Sequence, residues 1–200
     1  MKACFKTLVN DSFDTPSCRL DFSGKEAGSC EYIFDGYSVY QDIYKDAESG
    51  VIRQINTIKN TSCRDITVNR ISSVYAEGIA KGFYNKDVLI YLCHFMWQGE
   101  AQWISKTPSE MGIYPVASHE VSFCSRSVLS VGSWSTGRYY PIVLIENRTD
   151  NTTCFFEHQG GVSWEIELGT IGSPDALELT VEVNSVHESA TGAYIILENG

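Results

Sequence analysis

The feature that most constrains the fold is a two-residue alternation of apolar side chains, interrupted at short intervals by turn-forming residues. It is clearest in Val51–Ile58 (VIRQINTI) and Asp65–Val74 (DITVNRISSV), which are separated by the turn-like Lys59–Ser62 (KNTS). This period places every second side chain on the same face of a β-strand. The pattern predicts two strands that form a hairpin, whereas long helical patterns are almost absent from the chain.

Comparable segments are spread over the whole sequence and are separated by turn markers such as Asp35–Gly36 and Glu48–Gly50. One short helical turn is expected within Ser73–Gly82. Many short strands at this spacing are typical of a β-sandwich or barrel, and 200 residues suit one domain, 1–200. We therefore expect an all-β fold of antiparallel strands. The further predicted strands are Phe5–Val9, Cys30–Phe34, Tyr37–Tyr44, Asp87–Trp97, His119–Ser130, Tyr139–Ile145, Leu177–Val186 and Ala193–Leu197.

The charge of the chain argues against two classes of partner. The formal net charge is −10 at pH 7, so the sequence lacks the basic surface that nucleic acids and anionic membranes require. The first ten residues carry too short an apolar run for a signal peptide, and no stretch is long enough to span a bilayer. A cytoplasmic location is the default expectation.

Cysteine and histidine spacing favours neither disulfides nor a metal centre. The seven cysteines include no CxxC pair, so we interpret them as reduced thiols in the core. His119-Glu120 and His187-Glu188 both lack the second histidine of a zinc-binding H-E-x-x-H motif. The sequence predicts no metal and no cofactor.

Catalytic motifs are also incomplete. Ser133–Gly137 (SWSTG) has serine where a hydrolase nucleophile elbow needs its first glycine, and a strand rather than a helix follows it. Gly24-Lys25 is followed by Glu26, where a phosphate-binding loop requires Ser or Thr. The many acidic residues are interpreted as solvated strand faces. No catalytic residue is assigned.

Aromatic residues beside polar ones are the most informative local feature. Trp97–Trp103 (WQGEAQW) places two indoles among amides and a carboxylate, and Trp134 stands close to Arg138. Sugars present apolar C–H faces together with hydroxyl groups, which stacked rings and polar side chains recognise. The same rings could instead be core or interface anchors. The candidate carbohydrate-binding residues are Trp97, Trp103, Trp134 and Arg138.

Five segments occur in an order that is similar to a known family. They are Val51–Asn60 (VIRQINTIKN), Val68–Ser73 (VNRISS), Met96–Trp103 (MWQGEAQW), Val131–Pro141 (VGSWSTGRYYP) and Phe155–Ile166 (FFEHQGGVSWEI). Together they resemble the amino-terminal domain of family 36 glycoside hydrolases, the α-galactosidase family. The similarity extends from about residue 30 to about residue 190. Met1–Ser29 has no clear counterpart, and the family's Gly-Asp-x-Arg segment is missing.

The resemblance implies a β-supersandwich of the galactose-mutarotase-like type that lies beside a catalytic (β/α)8 barrel. In the family, the nucleophile and the acid/base aspartate both belong to that barrel, and no residue of this chain matches either. The resemblance therefore implies a non-catalytic domain that supports the barrel, helps to shape the substrate pocket and contributes to oligomer contacts. The implied partners are the barrel of the parent chain, galactose-containing saccharides bound through that parent, and a second copy in a homo-oligomer.

Two alternatives remain open from the sequence. The first is a free-standing carbohydrate-binding module in which Trp97, Trp103, Trp134 and Trp164 act as stacking platforms. The second is a mutarotase-like enzyme on the same fold, which would need a histidine and a carboxylate facing each other for acid/base catalysis. His119 or His158, with Glu157, would have to supply that pair.

Overall fold

The structure is a computed structural model that describes residues 2–4, 7–10, 12–14, 20–21, 28–82, 85–95, 99–113, 124–130, 139–159, 164–171, 178–186 and 195–197. Within these ranges, regular structure consists of β-strands and two single-turn 3-10 helices, Asn85–Asp87 and Ser109–Met111. The strands are β1 (Lys2–Cys4), β2 (Thr7–Val9), β3 (Ser12–Asp14), β4 (Leu20–Asp21), β5 (Gly28–Phe34), β6 (Tyr37–Lys45), β7 (Ile52–Asn60), β8 (Ile66–Glu77), β9 (Val88–His94), β10 (Trp103–Lys106), β11 (Cys124–Ser130), β12 (Tyr139–Asn147), β13 (Thr152–Glu157), β14 (Trp164–Ile171), β15 (Glu178–Val186) and β16 (Ile195–Leu197).

The described strands form three antiparallel sheets, which confirms the predicted all-β class. The largest has nine strands, with the order β11-β14-β15-β8-β1-β4; β2 and β16 also pair with β8, and β3 pairs with β2. A four-stranded sheet has the order β10-β9-β12-β13, and a three-stranded sheet has the order β5-β6-β7. No described helix is both long and apolar enough to cross a lipid bilayer.

The main core lies between the nine-stranded and four-stranded sheets. Trp164, Ile166 and Val181 of the large sheet share one apolar cluster with Ile90 and Val143 of the small one, and none of the five is more than 1% exposed. Removal of these side chains from water is the main stabilising contribution to such a sandwich. A second cluster joins the three-stranded sheet to β2 and β8, with Tyr37 and Val39 packed near Val68.

The predicted hairpin between β7 and β8 is wrong, because the two strands belong to different sheets. β7 pairs with β6 instead, in an unbroken register from Tyr37↔Asn60 to Lys45↔Ile52. The Asn60 side chain accepts the backbone N–H of Ser62 at 2.9 Å and donates to the carbonyl of Arg64 at 2.8 Å, which shapes a connection between sheets. A turn signal fixes where a strand ends, but it does not select the strand's partner.

The other two turn markers do form tight connections. Gly36 has φ +86° between β5 and β6, and Gly50 has φ +71° in the turn between β6 and β7. The expected helical turn in Ser73–Gly82 is wrong, because β8 continues to Glu77 and its end is held by β15 through pairs such as Ala76↔Val181. Tertiary pairing overrides a weak local preference here.

The cysteine prediction is only partly correct. Cys93 is buried and Cys154 is partly buried, whereas Cys30 and Cys63 are exposed on the surface. None of these four described cysteines forms a disulfide. Burial raises the pKa of the Cys93 and Cys154 thiols, as expected for unreactive core groups.

Candidate functional site

A cluster of charged side chains lies on the face of the large sheet that points away from the main core. In β14, Trp164 and Ile166 are in the core, so alternation places Glu165 on the opposite face. Glu182 of β15 lies on that same side, because the side chains that flank it also belong to the core. We define the carboxylate cluster as Arg70, Glu165, Glu167, Glu182 and Asn184.

Arg70 is the centre of this cluster. Its Nη2 atom donates a hydrogen bond to Oε2 of Glu167 at 2.9 Å, and it lies 3.4 Å from Glu182 and 3.5 Å from Glu165. The Nδ2 atom of Asn184 donates to Oε2 of Glu165 at 3.3 Å. A single guanidinium therefore connects the outward side chains of β8, β14 and β15.

Burial and charge act on Arg70 in opposite directions. Burial by itself would lower its pKa, but Glu182, Glu167 and Glu165 together outweigh that effect and raise the pKa. The prediction that acidic residues lie on solvated faces is wrong for this cluster, since the Glu182 side chain is only 8% exposed and Arg70 only 18%. Three carboxylates can occupy this layer because they share a cation.

The cluster is an ion-pair network that connects strands. Within the described ranges, no group of three or more His, Cys, Asp or Glu side chains is arranged to hold a metal ion. The absence of a metal or cofactor remains a prediction. Sequence reasoning missed this cluster, although the arginine in β8 and the Glu-x-Glu pair in β14 were available signals.

A second candidate is the outward side of the four-stranded sheet. Val88, Ile90 and Leu92 of β9 point into the core, and the intervening positions point outward. Along one line across the sheet, Tyr91 lies opposite Leu144, and Leu144 lies opposite Phe155. We define the aromatic face as the outward apolar side chains of this sheet, namely Leu89, Tyr91, Trp103, Ile142, Leu144 and Phe155.

Large rings are exposed at both edges of the aromatic face. Trp103 of the edge strand β10 is 49% exposed, and Phe155 of the opposite edge strand β13 is 55% exposed. Between them, the Tyr91 hydroxyl donates to Oε2 of Glu146 at 2.6 Å, and Nε of Arg148 donates to Oε1 of the same carboxylate at 3.2 Å. The hydroxyl of Tyr91 lowers the pKa of Glu146, and the carboxylate raises the pKa of Tyr91.

This arrangement can stack flat apolar groups and bind adjacent polar groups. It is an open sheet face, so it suits an extended ligand or another protein surface better than an enclosed small molecule. The sequence provided a direct signal for Trp103. Tyr91 and Phe155 were missed because both lie in apolar runs, Val88–Cys93 and Cys154–Phe156, where the inward and outward positions look alike.

The structure describes one of the four predicted carbohydrate-binding residues. Trp103 is exposed, as such a residue requires. Trp97, Trp134 and Arg138 lie outside the described residues. Trp164 was a proposed platform in the alternative of a free-standing module, and that role is wrong because its indole is fully buried in the core.

The histidine–carboxylate pair of a mutarotase-like enzyme does not form between His158 and Glu157. The two are neighbours in sequence, and the His158 side chain is 6% exposed whereas Glu157 is exposed. Burial lowers the pKa of His158, an effect that exceeds an opposing backbone hydrogen bond. His119, the other candidate, lies outside the described residues.

Comparison with solved structures yields four matching chains, among them one enzyme of distant similarity. No protein-family model and no curated protein matches the sequence. An α-galactosidase from Lactobacillus brevis aligns with a TM-score of 0.31 and 8% identity. The alignment covers 96% of this chain but 27% of that chain, so this chain spans about a quarter of its length. A TM-score this low does not establish a shared fold or function.

Proposed function

We propose that this chain is a non-catalytic β-sandwich domain of an α-galactosidase-like glycoside hydrolase. The observation that carries the proposal is the position of the family-like segment that ends at Ile166. Its Trp164 and Ile166 are core residues, and its Glu165 is bound in the carboxylate cluster. Residues in such positions stabilise the fold and take no part in catalysis, which is the role that the resemblance implies for this domain.

The other family-like segments support the same proposal. Val51–Asn60 includes the whole of β7, and Val68–Ser73 lies within β8, the strand to which four others attach directly in the large sheet. The segment that begins at Phe155 starts in β13. All three segments form parts of antiparallel sheets, and an all-β sandwich is compatible with the supersandwich expected for residues 1–200.

In this proposal, hydrolysis takes place in a barrel domain of the parent protein. Retaining glycosidases need two carboxyl groups about 5 Å apart, one of which acts as nucleophile and the other as acid/base. The carboxylate cluster does not suit this chemistry, because its three acids share one guanidinium. The aromatic face is the surface that we assign to packing against the barrel, in a cytoplasmic enzyme that acts on galactose-containing saccharides.

The coding sequence provides a direct test of this proposal. The reading frame downstream of Gly200 should continue into a barrel with paired aspartates. Co-expression of the chain with that barrel should yield a complex, and Phe155→Asp on the aromatic face should weaken it. A stop codon directly after Gly200 would overturn the proposal, as would a failure of the two parts to form a complex. A complex that forms equally well with Phe155→Asp would overturn the assignment of the aromatic face as the packing surface.

A carbohydrate-binding module is the second candidate, and the exposure of Trp103 on the same face of the sheet as Tyr91 favours it. Galactose or raffinose stacked on Trp103 would change the intrinsic tryptophan fluorescence in a saturable way. Trp103→Phe should abolish that change if Trp103 is the platform. A titration without any fluorescence change would instead favour a protein-docking role for the aromatic face.

A further inference from the structure

The outward side of the three-stranded sheet is a separate apolar surface. Tyr37, Val39 and Gln41 of β6 point inward and are buried. Alternation therefore places Tyr40, Asp42 and Tyr44 on the outward side. Four apolar side chains are prominent on the outward side: Ile33 is 80% exposed, Tyr44 53%, Ile55 45% and Tyr40 37%. We define the hairpin face as these four residues together with the charged residues Glu31, Asp42, Arg53 and Lys59.

The charges of the hairpin face are segregated across the sheet. Glu31 lies on β5, opposite Tyr40 of the central strand β6. Asp42 lies on β6, but its Oδ1 atom accepts a hydrogen bond from Oγ of Ser29 at 2.5 Å, which directs the carboxylate toward β5. Arg53 and Lys59 both lie on β7, on the other side of β6. The face therefore has an acidic side, a basic side and tyrosines between them.

We propose that the hairpin face binds the hairpin face of a second copy of this chain. A two-fold axis parallel to β6 would place β7 of each copy over β5 of the other. Lys59 would then lie within reach of Glu31 across the interface, and Arg53 within reach of Asp42. Tyr40 and Tyr44 would meet their own counterparts along the axis. This symmetric arrangement satisfies both charge pairs twice, as an isologous interface does.

Charge balance favours a second copy over an unrelated partner. The whole chain carries a formal net charge of −10, so two copies repel each other over most of their surface. The hairpin face is an exception, because its two acidic and two basic side chains cancel. Three strands of at most nine residues cover about 400 Å² at the usual strand spacing and rise per residue. This is less than the roughly 800 Å² per partner of a standard interface, so we expect a dissociation constant in the micromolar range. This inference does not depend on the proposed function.

Sedimentation velocity over a range of protein concentrations tests the proposal. The purified chain should shift from a 22.3 kDa monomer to a species of twice that mass as its concentration rises through the micromolar range. Glu31→Lys and Lys59→Glu should each weaken dimerisation at least tenfold, because each places like charges opposite one another. The double variant with both substitutions should recover the dimer, which a variant that misfolds would not do.

Phe155→Ser is the matched control, since it removes an equally exposed ring from the aromatic face and should leave the dimer intact. A chain that stays monomeric up to about millimolar concentration would overturn the proposal. Dimerisation that Phe155→Ser abolishes would overturn it too, because the aromatic face would then be the interface. A double charge swap that fails to recover the dimer would also count against it.

Discussion

Arg70 and Glu167 are 97 positions apart in the sequence, yet Nη2 of Arg70 donates a hydrogen bond to Oε2 of Glu167 at 2.9 Å. Their strands, β8 and β14, are separated by β15, which contributes Glu182 to the same guanidinium. The contact therefore spans three neighbouring strands on the side opposite the main core. The large sheet is therefore stabilised on its inward face by apolar packing and on its outward face by this ion-pair network.

Arg70→Met should destabilise the fold strongly. Removal of the cation leaves three carboxylates close together in a layer with little solvent, and loss of one partner of a buried ion pair costs about 3–5 kcal/mol. We expect urea unfolding to show a loss of about 3 kcal/mol in the free energy of unfolding, the lower end of this range, because the Glu167 side chain is 23% exposed. Arg148→Met is the control, because Arg148 is 54% exposed and an exposed pair is worth at most about 1 kcal/mol. Equal losses in the two variants would contradict the structural role of the cluster.

Trp164→Ala should be among the most destabilising single substitutions in the chain. The indole is fully buried between the two larger sheets, and truncation of a buried Trp to Ala costs about 3–5 kcal/mol through lost burial and the cavity that remains. Trp103→Ala, at a site that is 49% exposed, should cost less than about 1 kcal/mol. Urea unfolding of both variants measures the two free energies of unfolding. A larger loss for Trp103→Ala than for Trp164→Ala would contradict the position of Trp164 in the main core.

Stability should fall below pH 6.5 in part because of His158. Burial lowers its pKa in the folded state below the ordinary value, so the unfolded chain binds the proton more readily. The stabilising contribution is complete above the ordinary pKa and decreases as pH falls through the lower, folded-state pKa. His158→Gln should therefore show a smaller loss of unfolding free energy than the parent between pH 7.5 and pH 5. Identical pH profiles would show that His158 does not contribute.

The sequence predicted the class of fold and several local features for good physical reasons. Alternation in β7 and β14 gives strands directly, and Asp35–Gly36 gives a tight turn because glycine tolerates the positive φ there. Partners across the sheets were harder to predict. The β7–β8 hairpin was wrong because the backbone of a strand can form the same hydrogen bonds with any neighbouring strand. The sequence of a strand therefore does not show which strand is its partner.

The candidate sites were harder to predict than the fold. Alternation shows that Glu182 and Ile166 lie on opposite sides of the large sheet, but it does not show that the polar side is covered. The pairing of Arg70 with three glutamates depends on strand order, which no local pattern encodes. Trp103 was found because its polar neighbours mark it, whereas the outward position of Phe155 required the register of β13 against β12.

Gly36→Ala should cost more stability than Gly50→Ala. Both glycines have positive φ, a conformation that costs about 1–2 kcal/mol with any Cβ present. At Gly36 an added Cβ would also lie 3.3 Å from Cβ of Ser62, whereas at Gly50 it would meet no atom within 4 Å apart from the residue itself and its two chain neighbours. Thermal or urea unfolding of the two variants measures the difference, and a greater loss at Gly50 would contradict the contact with Ser62.

The most direct test of the non-catalytic role is the release of p-nitrophenol from p-nitrophenyl α-D-galactopyranoside by the purified 200-residue chain. The measurement should use a high concentration of the chain and include an active α-galactosidase as a positive control. We expect no release above that of buffer, at any pH between 5 and 8. Release that rises in proportion to the concentration of the pure chain, with multiple turnovers, would contradict the proposal.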